Sequence, residues 1–378
     1  MKLMKILGLL SGAALLFSAC EAGKTCESAD EMMKNLKVGW NLGCSLSVYT
    51  EEKSPSAEAL KESYEDVCEF ETWWLNPLTT KEMIHAVKER GFNAVRAQVS
   101  FYNHMDEEGH ISEAFMKRVR EVVDYCIDED MYIIINTSGL PWLKTTPDDY
   151  VKNGTVYVNL WTQIAEEFKN TGDKLIFESF NEIRDKAGRW ENASAKDYDV
   201  VNAFYRLFVT TVRNGGGYNK TRNLMLNTYA GSFKESELER VEIPADTVDG
   251  HLILQVHCYD PVSFTFNEEN LGNSNFTWKW GSDSEKKRMD DIFDTLKDYG
   301  EKLGVPVVIG EFGVCDRTEE SERAEYIRYY AEASSSRGIK LILFDDGSAI
   351  TVFDRANCTW KYPAVVDALF DGIKVGAE

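Results

Sequence analysis

Short apolar runs alternate with amphipathic stretches along most of the chain. The apolar runs have the length and the β-branched composition of buried strands. They cover residues 38–43, 94–99, 132–136, 175–180, 223–227, 251–256, 306–309 and 340–344. Between them, apolar residues spaced by three and four predict helices within residues 79–91, 106–128, 158–169, 198–212, 288–303, 321–334 and 362–370. The polar segment 47–71 is expected to form a long loop.

This alternation of eight strands with helices predicts an α/β protein of the (β/α)8 TIM-barrel class. The competing interpretation is a doubly wound protein of two domains. It is disfavoured because no G-x-G-x-x-G sequence follows the first strand and no linker rich in proline, glycine or serine divides the chain. We expect a single domain over residues 38–378, preceded by a tether with a short helix over residues 21–37.

Two of the predicted strands end in a glutamate. The run at 175–180 is followed by Asn181 and Glu182, and the run at 306–309 is followed by Gly310 and Glu311. The carboxyl ends of barrel strands meet at one mouth, where barrel enzymes carry their active sites. A single glutamate in this position is more often part of a surface ion pair. Two in matching positions favour hydrolysis of a glycosidic bond, which uses a pair of carboxyl groups.

Charge and cysteine content narrow the choice of partners. The formal net charge of −21 disfavours nucleic acid and anionic lipid as ligands, and it favours a neutral ligand such as a glycan. The eight cysteines include no C-x-x-C pair, so the sequence supports no metal site, and we expect no cofactor. One or two disulfides could form in an exported protein, but the spacing does not identify the pairing.

Residues 1–20 have the form of a secretory signal. Lys2 and Lys5 precede an apolar run over residues 6–17, which is too short to span a bilayer. The run closes in Phe17-Ser18-Ala19-Cys20, which resembles a bacterial lipobox, where the cysteine is lipidated. We expect an exported lipoprotein held at the outer membrane or cell surface through Cys20. The alternative is cleavage near Ala19 and a secreted or periplasmic protein.

Eight runs of residues carry a family resemblance. They are Gly39-Trp40-Asn41-Leu42-Gly43, Glu71-Thr72-Trp73-Trp74, Asn76-Pro77-Leu78-Thr79-Thr80-Lys81, Gly91-Phe92-Asn93-Ala94-Val95-Arg96 with Asn103-His104, Phe180-Asn181-Glu182, Val256-His257-Cys258-Tyr259 and Ile309-Gly310-Glu311-Phe312-Gly313. Together they resemble glycoside hydrolase family 5, in its endo-β-1,4-glucanase branch, from Gly39 nearly to the C-terminus.

The resemblance implies a retaining mechanism with Glu182 as acid/base, Glu311 as nucleophile and carboxyl groups about 5 Å apart. It also implies that Arg96 holds Glu311 ionised, that Tyr259 donates to Glu311 and that Asn181 binds the sugar 2-hydroxyl. The expected substrate is a β-glucan of the cellulose, mixed-linkage or xyloglucan class, cut internally by a monomer. The full set of implied substrate-binding residues is Asn41, Arg96, His104, Asn181, His257, Tyr259 and Phe344. For His104 a solvated loop residue is an equal alternative.

Several positions depart from the family pattern. Ser138 and Gly139 replace the usual pair of histidines after the third strand, and Phe344 replaces the usual tryptophan at the end of the eighth strand. Cys44 and Ala97-Gln98 stand where an asparagine and Ile-Pro are usual. These losses motivate an alternative function, a glycan-binding lipoprotein on a weakened hydrolase barrel.

Tryptophans in or near predicted loops could stack on sugar rings in outer subsites. The candidates are Trp73, Trp74, Trp142, Trp190, Trp278 and Trp280. About half are expected to be packing residues instead.

Overall fold

Eight parallel strands close into a barrel in the computed structural model of the chain, which describes residues 25–50, 64–139, 141–266 and 276–377. The strands are β1 (Gly39–Leu42), β2 (Ala94–Ala97), β3 (Tyr132–Ile135), β4 (Leu175–Glu178), β5 (Leu224–Ser232), β6 (Leu252–His257), β7 (Val307–Phe312) and β8 (Lys340–Leu343). Each strand pairs with the next, and β1 also pairs with β8, so no strand edge is left open. The predicted single-domain (β/α)8 barrel is confirmed. A small hairpin, β9 (Phe353–Asp354) and β10 (Thr359–Trp360), follows β8.

Helices surround the barrel in the described residues. They are α1 (Ala29–Asn35), α2 (Tyr64–Glu71), α3 (Lys81–Glu89), α4 (Glu113–Asp128), α5 (Pro147–Phe168), α6 (Ala195–Asn214), α7 (Glu235–Leu238), α8 (Val262–Thr265), α9 (Asp283–Leu303), α10 (Glu320–Ser335) and α11 (Pro363–Gly376). Three of them, α5, α6 and α9, begin before the apolar periodicity predicts. Their starts are set by side-chain caps from Thr146, Ser194 and Ser282, and polar capping residues carry no hydrophobic period.

The segment 47–71, predicted as a loop, contains α2 at its end. Glu71, its last residue, is buried because its carboxylate accepts hydrogen bonds from Arg118 Nε at 2.7 Å and from the Thr79 amide at 2.9 Å. The helix is therefore fixed by partners distant in sequence, which a local pattern does not show. Residues 51–63 of this segment lie outside the described part of the chain.

The short helix expected in the leader forms as α1, but it is part of the barrel domain rather than of a tether. Met32 and Leu36 are fully buried and pack with residues such as Ile134 and Ile176 in one apolar cluster. The cluster takes one residue or more from most barrel strands, so α1 closes the amino end of the barrel. The predicted signal, residues 1–20, lies outside the described residues.

Strand alternation places a buried polar layer above this apolar cluster. Side chains two residues apart on a strand share a face, so residues two positions after the cluster also point into the barrel. These positions carry Arg96, Asn136, Glu178, Asn227 and Gln255, all of them buried. The layer lies toward the carboxyl ends of the strands, directly beneath the mouth.

No disulfide forms within the described residues, where all seven cysteines are free. The one or two disulfides that the sequence allowed therefore do not form among the described cysteines. In the same part of the chain, no helix combines the length and the apolar character that crossing a bilayer requires.

Candidate active site

Arg96 is the centre of the polar layer. Its guanidinium donates two hydrogen bonds to Glu178, from Nε to Oε2 at 2.7 Å and from Nη2 to Oε1 at 2.8 Å. Nη1 donates to Glu311 Oε1 at 2.8 Å. Burial alone would lower the pKa of Arg96, but the charges and hydrogen bonds of Glu178 and Glu311 outweigh it and raise the pKa above its usual value. The cation is therefore permanent, and it stabilises the negative charge of Glu311.

Glu178 is a functional residue that the sequence analysis missed. It is fully buried on β4, and besides Arg96 its carboxylate accepts from Asn136 Nδ2 at 3.0 Å and from Gln255 Nε2 at 2.9 Å. A carboxylate inside an apolar strand is itself a signal, because charged residues are buried only when they are paired. Glu178 fixes the orientation of the guanidinium that reaches Glu311.

Glu311 lies on β7 and is almost enclosed, with a side-chain exposure of 5%. Its Oε2 accepts from the Tyr259 hydroxyl at 2.9 Å. Burial, together with the negative charges of Glu311 and Glu182, holds the pKa of Tyr259 well above its usual value. The phenol therefore remains a protonated donor to Glu311 at neutral pH.

Glu182 follows β4 and faces Glu311. One carboxylate oxygen from each glutamate and a ring nitrogen of His257 all lie within 4.8 Å of one another. The Glu182 side chain is 23% exposed, so it can exchange a proton with water, whereas Glu311 is nearly sealed. This approach of two carboxylate oxygens is nearer the about 5–5.5 Å that separates the carboxyl groups of retaining enzymes than the about 6.5–9.5 Å of inverting ones.

His257 connects the two sides of the site. Its Nε2 lies 3.4 Å from Arg96 Nη2, and its Nδ1 lies 2.8 Å from Glu182 Oε1. Nδ1 faces two carboxylates, Glu182 Oε1 and, at 3.5 Å, Glu311 Oε2, whereas Nε2 faces the Arg96 cation, so the proton of the neutral ring is on Nδ1. The imidazole therefore donates to Glu182.

The structure corrects two predicted substrate contacts, Asn41 and Arg96. Both side chains are fully buried and cannot touch a sugar. Asn41 Nδ2 donates to the Gly310 carbonyl at 2.9 Å, and its Oδ1 accepts from Arg96 Nη1 at 2.9 Å. Their polar atoms are used inside the barrel, so these two residues position Glu311 from below.

Asn181 and Phe344 lie at the mouth, as expected for residues that face a ligand. Asn181 Oδ1 accepts from Arg96 Nη2 at 2.7 Å and from Gln98 Nε2 at 3.2 Å, which directs its Nδ2 away from them. Phe344 is half-buried and meets Tyr259 edge to face, with ring centroids 6.0 Å apart.

His104 fits neither of its two expected roles. Its exposure is 2%, so it is not a solvated loop residue. The imidazole stacks on Phe115 at 3.9 Å between centroids and meets Phe70 edge to face at 4.8 Å. Enclosed between these rings, it has almost no surface to offer a sugar.

The place expected for the two histidines is closed by other groups. Gly139 has φ +55°, and a Cβ at this position would lie 2.5 Å from Ser100 Oγ and 2.7 Å from the Tyr49 ring. Tyr49 in turn meets Trp74 edge to face at 5.7 Å. Tyr49, from the loop after β1, thus fills the space beside Gly139, where the family pattern has an imidazole.

The six tryptophans named from the sequence differ in exposure, and more of them are exposed than the expected half. Trp280 is buried against Tyr326, and Trp142 is half-buried. The candidates with large exposed surface are Trp73, Trp74, Trp190 and Trp278. Trp190 follows β4 and carries the Arg184 guanidinium over its ring at 4.1 Å.

Two groups of side chains in the described residues have the proximity of metal ligands. One is the site itself, Glu182, Glu311 and His257, where His257 donates to Glu182, and Arg96 and Tyr259 donate to Glu311. The other is the turn of Asp106, Glu108 and His110, where Asp106 accepts from the His110 and Glu108 amides. Hydrogen bonds within the chain account for both arrangements.

Comparison with known proteins matches the chain to a family. The model described as Cellulase (glycosyl hydrolase family 5) matches residues 58–348. Endoglucanase A of Clostridium longisporum is 34% identical over 393 residues, covering 98% of this chain and 72% of that protein. The chain belongs to glycosyl hydrolase family 5.

The barrel of this chain is similar to the solved structures of family 5 enzymes. The GH5-4 broad-specificity endoglucanase from Clostridium longisporum superposes with a TM-score of 0.86 at 34% identity, covering 93% of this chain and 99% of that one. A family 5 enzyme from Prevotella bryantii, solved with a xyloglucan tetradecasaccharide, superposes with a TM-score of 0.81 at 30% identity, covering 92% and 99%. The resemblance to this family is confirmed, and the chain is a glycoside hydrolase of the endo-β-1,4-glucanase family.

Replacing Gly231 with alanine should damage the family 5 site without unfolding the barrel. Gly231 has φ +66°, and a Cβ there would lie 2.9 Å from His257 Nδ1 and 3.4 Å from Glu182 Cγ. We expect kcat/KM on a soluble β-glucan to fall about 10–100-fold, because the side chains would be displaced from their bonded positions.

Gly304→Ala is the matched control. Gly304 has φ +69° and nothing within 4 Å of the added atom, so it carries the penalty of a left-handed backbone without a clash. Both variants should lose similar stability in thermal unfolding, and only Gly231→Ala should lose activity. Equal activity in the two variants would contradict the packing of Gly231 against the site.

Proposed function

We propose that this protein is a retaining endo-β-glucanase in which Glu182 is the acid/base and Glu311 is the nucleophile. The observation that carries the assignment is the approach of the two carboxylates to within 4.8 Å, one nearly sealed and the other open to water. That spacing leaves no room for a water molecule to attack between an acid and a base, which an inverting mechanism requires.

In the first step, Glu311 attacks the anomeric carbon while Glu182 gives its proton to the glycosidic oxygen. Glu182 Oε1 accepts from His257, so the proton to be transferred is on Oε2. The glycosidic C–O bond breaks as the bond to Glu311 forms. Hydrogen bonds from Arg96 and Tyr259 keep the attacking carboxylate aimed, which supplies the orientation that the reaction needs.

In the second step, a water molecule attacks the same carbon. Glu182, now a carboxylate, takes a proton from this water, and its partial exposure gives the water access. The bond between the carbon and Glu311 breaks, and Glu311 leaves as a carboxylate. The donation from His257 Nδ1 stabilises Glu182 in this charged state.

The proposed substrate is a β-1,4-linked glucan chain, with xyloglucan and mixed-linkage glucan in its range. The C. longisporum relative is a broad-specificity endoglucanase, and the P. bryantii relative holds a xyloglucan oligosaccharide. Exposed Trp73, Trp74 and Trp190 offer stacking surfaces for several sugar units. An internal cut is the expected product of a cleft that contacts a chain on both sides of the broken bond.

The alternative of a binding protein without turnover is weaker than hydrolysis. It rested on the missing histidines and tryptophan. However, Glu311 keeps donors from Arg96 and Tyr259, and Glu182 keeps its contact with His257. These contacts support hydrolysis over binding without turnover.

Separate substitutions of the two glutamates should have different effects. Glu311→Ala should reduce turnover of every β-glucan below detection, because no covalent intermediate can form. Glu182→Gln should lower kcat/KM on polysaccharide about 10²–10⁴-fold. The same variant should release the initial burst of 2,4-dinitrophenolate from 2,4-dinitrophenyl β-cellobioside at a rate that is reduced much less. That leaving group needs no proton.

Reducing-sugar and stopped-flow assays measure these effects, and Asp291→Asn is the control, since its pair with Lys287 is exposed on the surface. Binding of β-glucan by the wild type without turnover, unchanged by Glu311→Ala, would support the binding protein instead.

The cellular location is a separate proposal. We propose that the chain is exported and anchored by a lipid on Cys20, on the strength of its two lysines, its apolar run and the Phe17-Ser18-Ala19-Cys20 sequence. In a bacterial host the wild type should fractionate with membranes and incorporate labelled palmitate, and Cys20→Ala should do neither. If the wild type incorporates no labelled fatty acid, the lipid anchor is wrong and simple secretion is the correct description.

A further inference from the structure

We propose that Gln98 is a positioning residue that shifts the balance between the two steps of the reaction toward release of the covalent intermediate. The inference rests on the proposed retaining function and adds a residue to it. Gln98 lies just beyond the end of β2, two positions after Arg96, so its side chain points to the same interior face. It is 7% exposed and lies directly against the nucleophile.

The Gln98 amide contacts both Glu311 and Asn181. Its Nε2 is 2.6 Å from Glu311 Oε1 and 3.2 Å from Asn181 Oδ1. Asn181 Oδ1 must be the acceptor there, because it also receives Arg96 Nη2, which can only donate. Both neighbours of the Gln98 nitrogen are therefore acceptors, and Gln98 must present its NH2 group to them.

Gln98 gives Glu311 Oε1 a second donor. That oxygen already accepts from Arg96 Nη1 at 2.8 Å, and Oε2 accepts from Tyr259 at 2.9 Å. A hydrogen bond from an amide to a carboxylate is stronger than one between neutral groups. Gln98 therefore adds to the stabilisation of Glu311 as a free anion.

Stabilising the free anion affects the two steps in opposite directions. In the first step Glu311 loses its negative charge as its oxygen bonds to the anomeric carbon, so the Gln98 bond weakens and opposes the reaction. In the second step that C–O bond breaks and the charge returns to Glu311, so the Gln98 bond strengthens and favours the reaction. Only interactions that change between ground and transition state alter a rate in this way. Gln98 should hasten hydrolysis of the intermediate without hastening its formation.

The test separates the two steps in the full-length protein. The reagent 2,4-dinitrophenyl 2-deoxy-2-fluoro-β-cellobioside forms the glycosyl-enzyme and slows its hydrolysis. After excess reagent is removed, the return of activity reports the second step. The kcat/KM for 2,4-dinitrophenyl β-cellobioside reports the first. The variants are Gln98→Met, which keeps the length but has no donor, and Gln98→Leu.

We expect reactivation of both variants to slow about tenfold. A lost hydrogen bond to a charged group produces an effect of this size when part of the bond's free energy contributes to the transition state. We expect kcat/KM to be unchanged or higher. The control is Thr171→Val, which removes a buried hydroxyl that has no hydrogen-bond partner among the described residues and lies before β4, away from the mouth of the barrel. It should match the wild type in both measurements.

Two results would overturn the inference. One is reactivation at the wild-type rate in both variants. The other is a kcat/KM that falls along with reactivation, since that is what a purely structural residue would produce by letting Glu311 move. A wild type that the fluoro reagent does not label, with no mass increase on the intact chain, would instead defeat the proposed function itself.

Discussion

The site depends on one buried cation between two buried anions. Arg96 is held from below by two hydrogen bonds to Glu178 and reaches upward to Glu311, and all three side chains are almost or fully excluded from water. Ions in such surroundings are costly unless each one is paired, and breaking a buried pair costs about 3–5 kcal/mol. The nucleophile is therefore held by a network that the barrel cannot easily rearrange. This rigidity suits a reaction in which a carboxylate must meet a carbon atom at a fixed distance.

The barrel builds this network through strand alternation and then adjusts it with irregularities at the mouth. Alternation gives the apolar cluster closed by α1 and the polar layer above it. Near their carboxyl ends, β5, β6 and β7 shift register after Asn227, Val256 and Ile309, respectively. Such shifts re-aim side chains, and one of them sets His257 opposite Glu311. The imidazole can then contact Glu182 on the other side of the cleft.

Much of this arrangement could be predicted from sequence, because strand burial and strand ends leave local patterns. The apolar runs predict the barrel, and the residues at their carboxyl ends include the two glutamates. Glu178 was missed because a polar residue within such a run does not reveal its partner. Asn41 was predicted to contact the substrate because the sequence shows only an amide at the end of a strand. It does not show whether that amide faces a sugar or, as here, the Gly310 carbonyl and Arg96. The contacts of Gln98 and Tyr49 depend on how separate loops meet, and no local period encodes that.

The contacts show which groups stand at two of the positions that depart from the family pattern. The space beside Gly139, one of the two positions without an imidazole, is closed by Tyr49 and Ser100, and an amide from Gln98 supports the nucleophile. The site has exchanged some polar groups while keeping the pair of carboxylates together.

The most direct test of the account is the anomeric configuration of the first product. Proton NMR of a cello-oligosaccharide during the first minutes of hydrolysis, before mutarotation, would show the new reducing end. Carboxylates this close predict that it appears as the β anomer. Initial formation of the α anomer would mean that Glu311 does not bond to the sugar, and the central claim would be wrong.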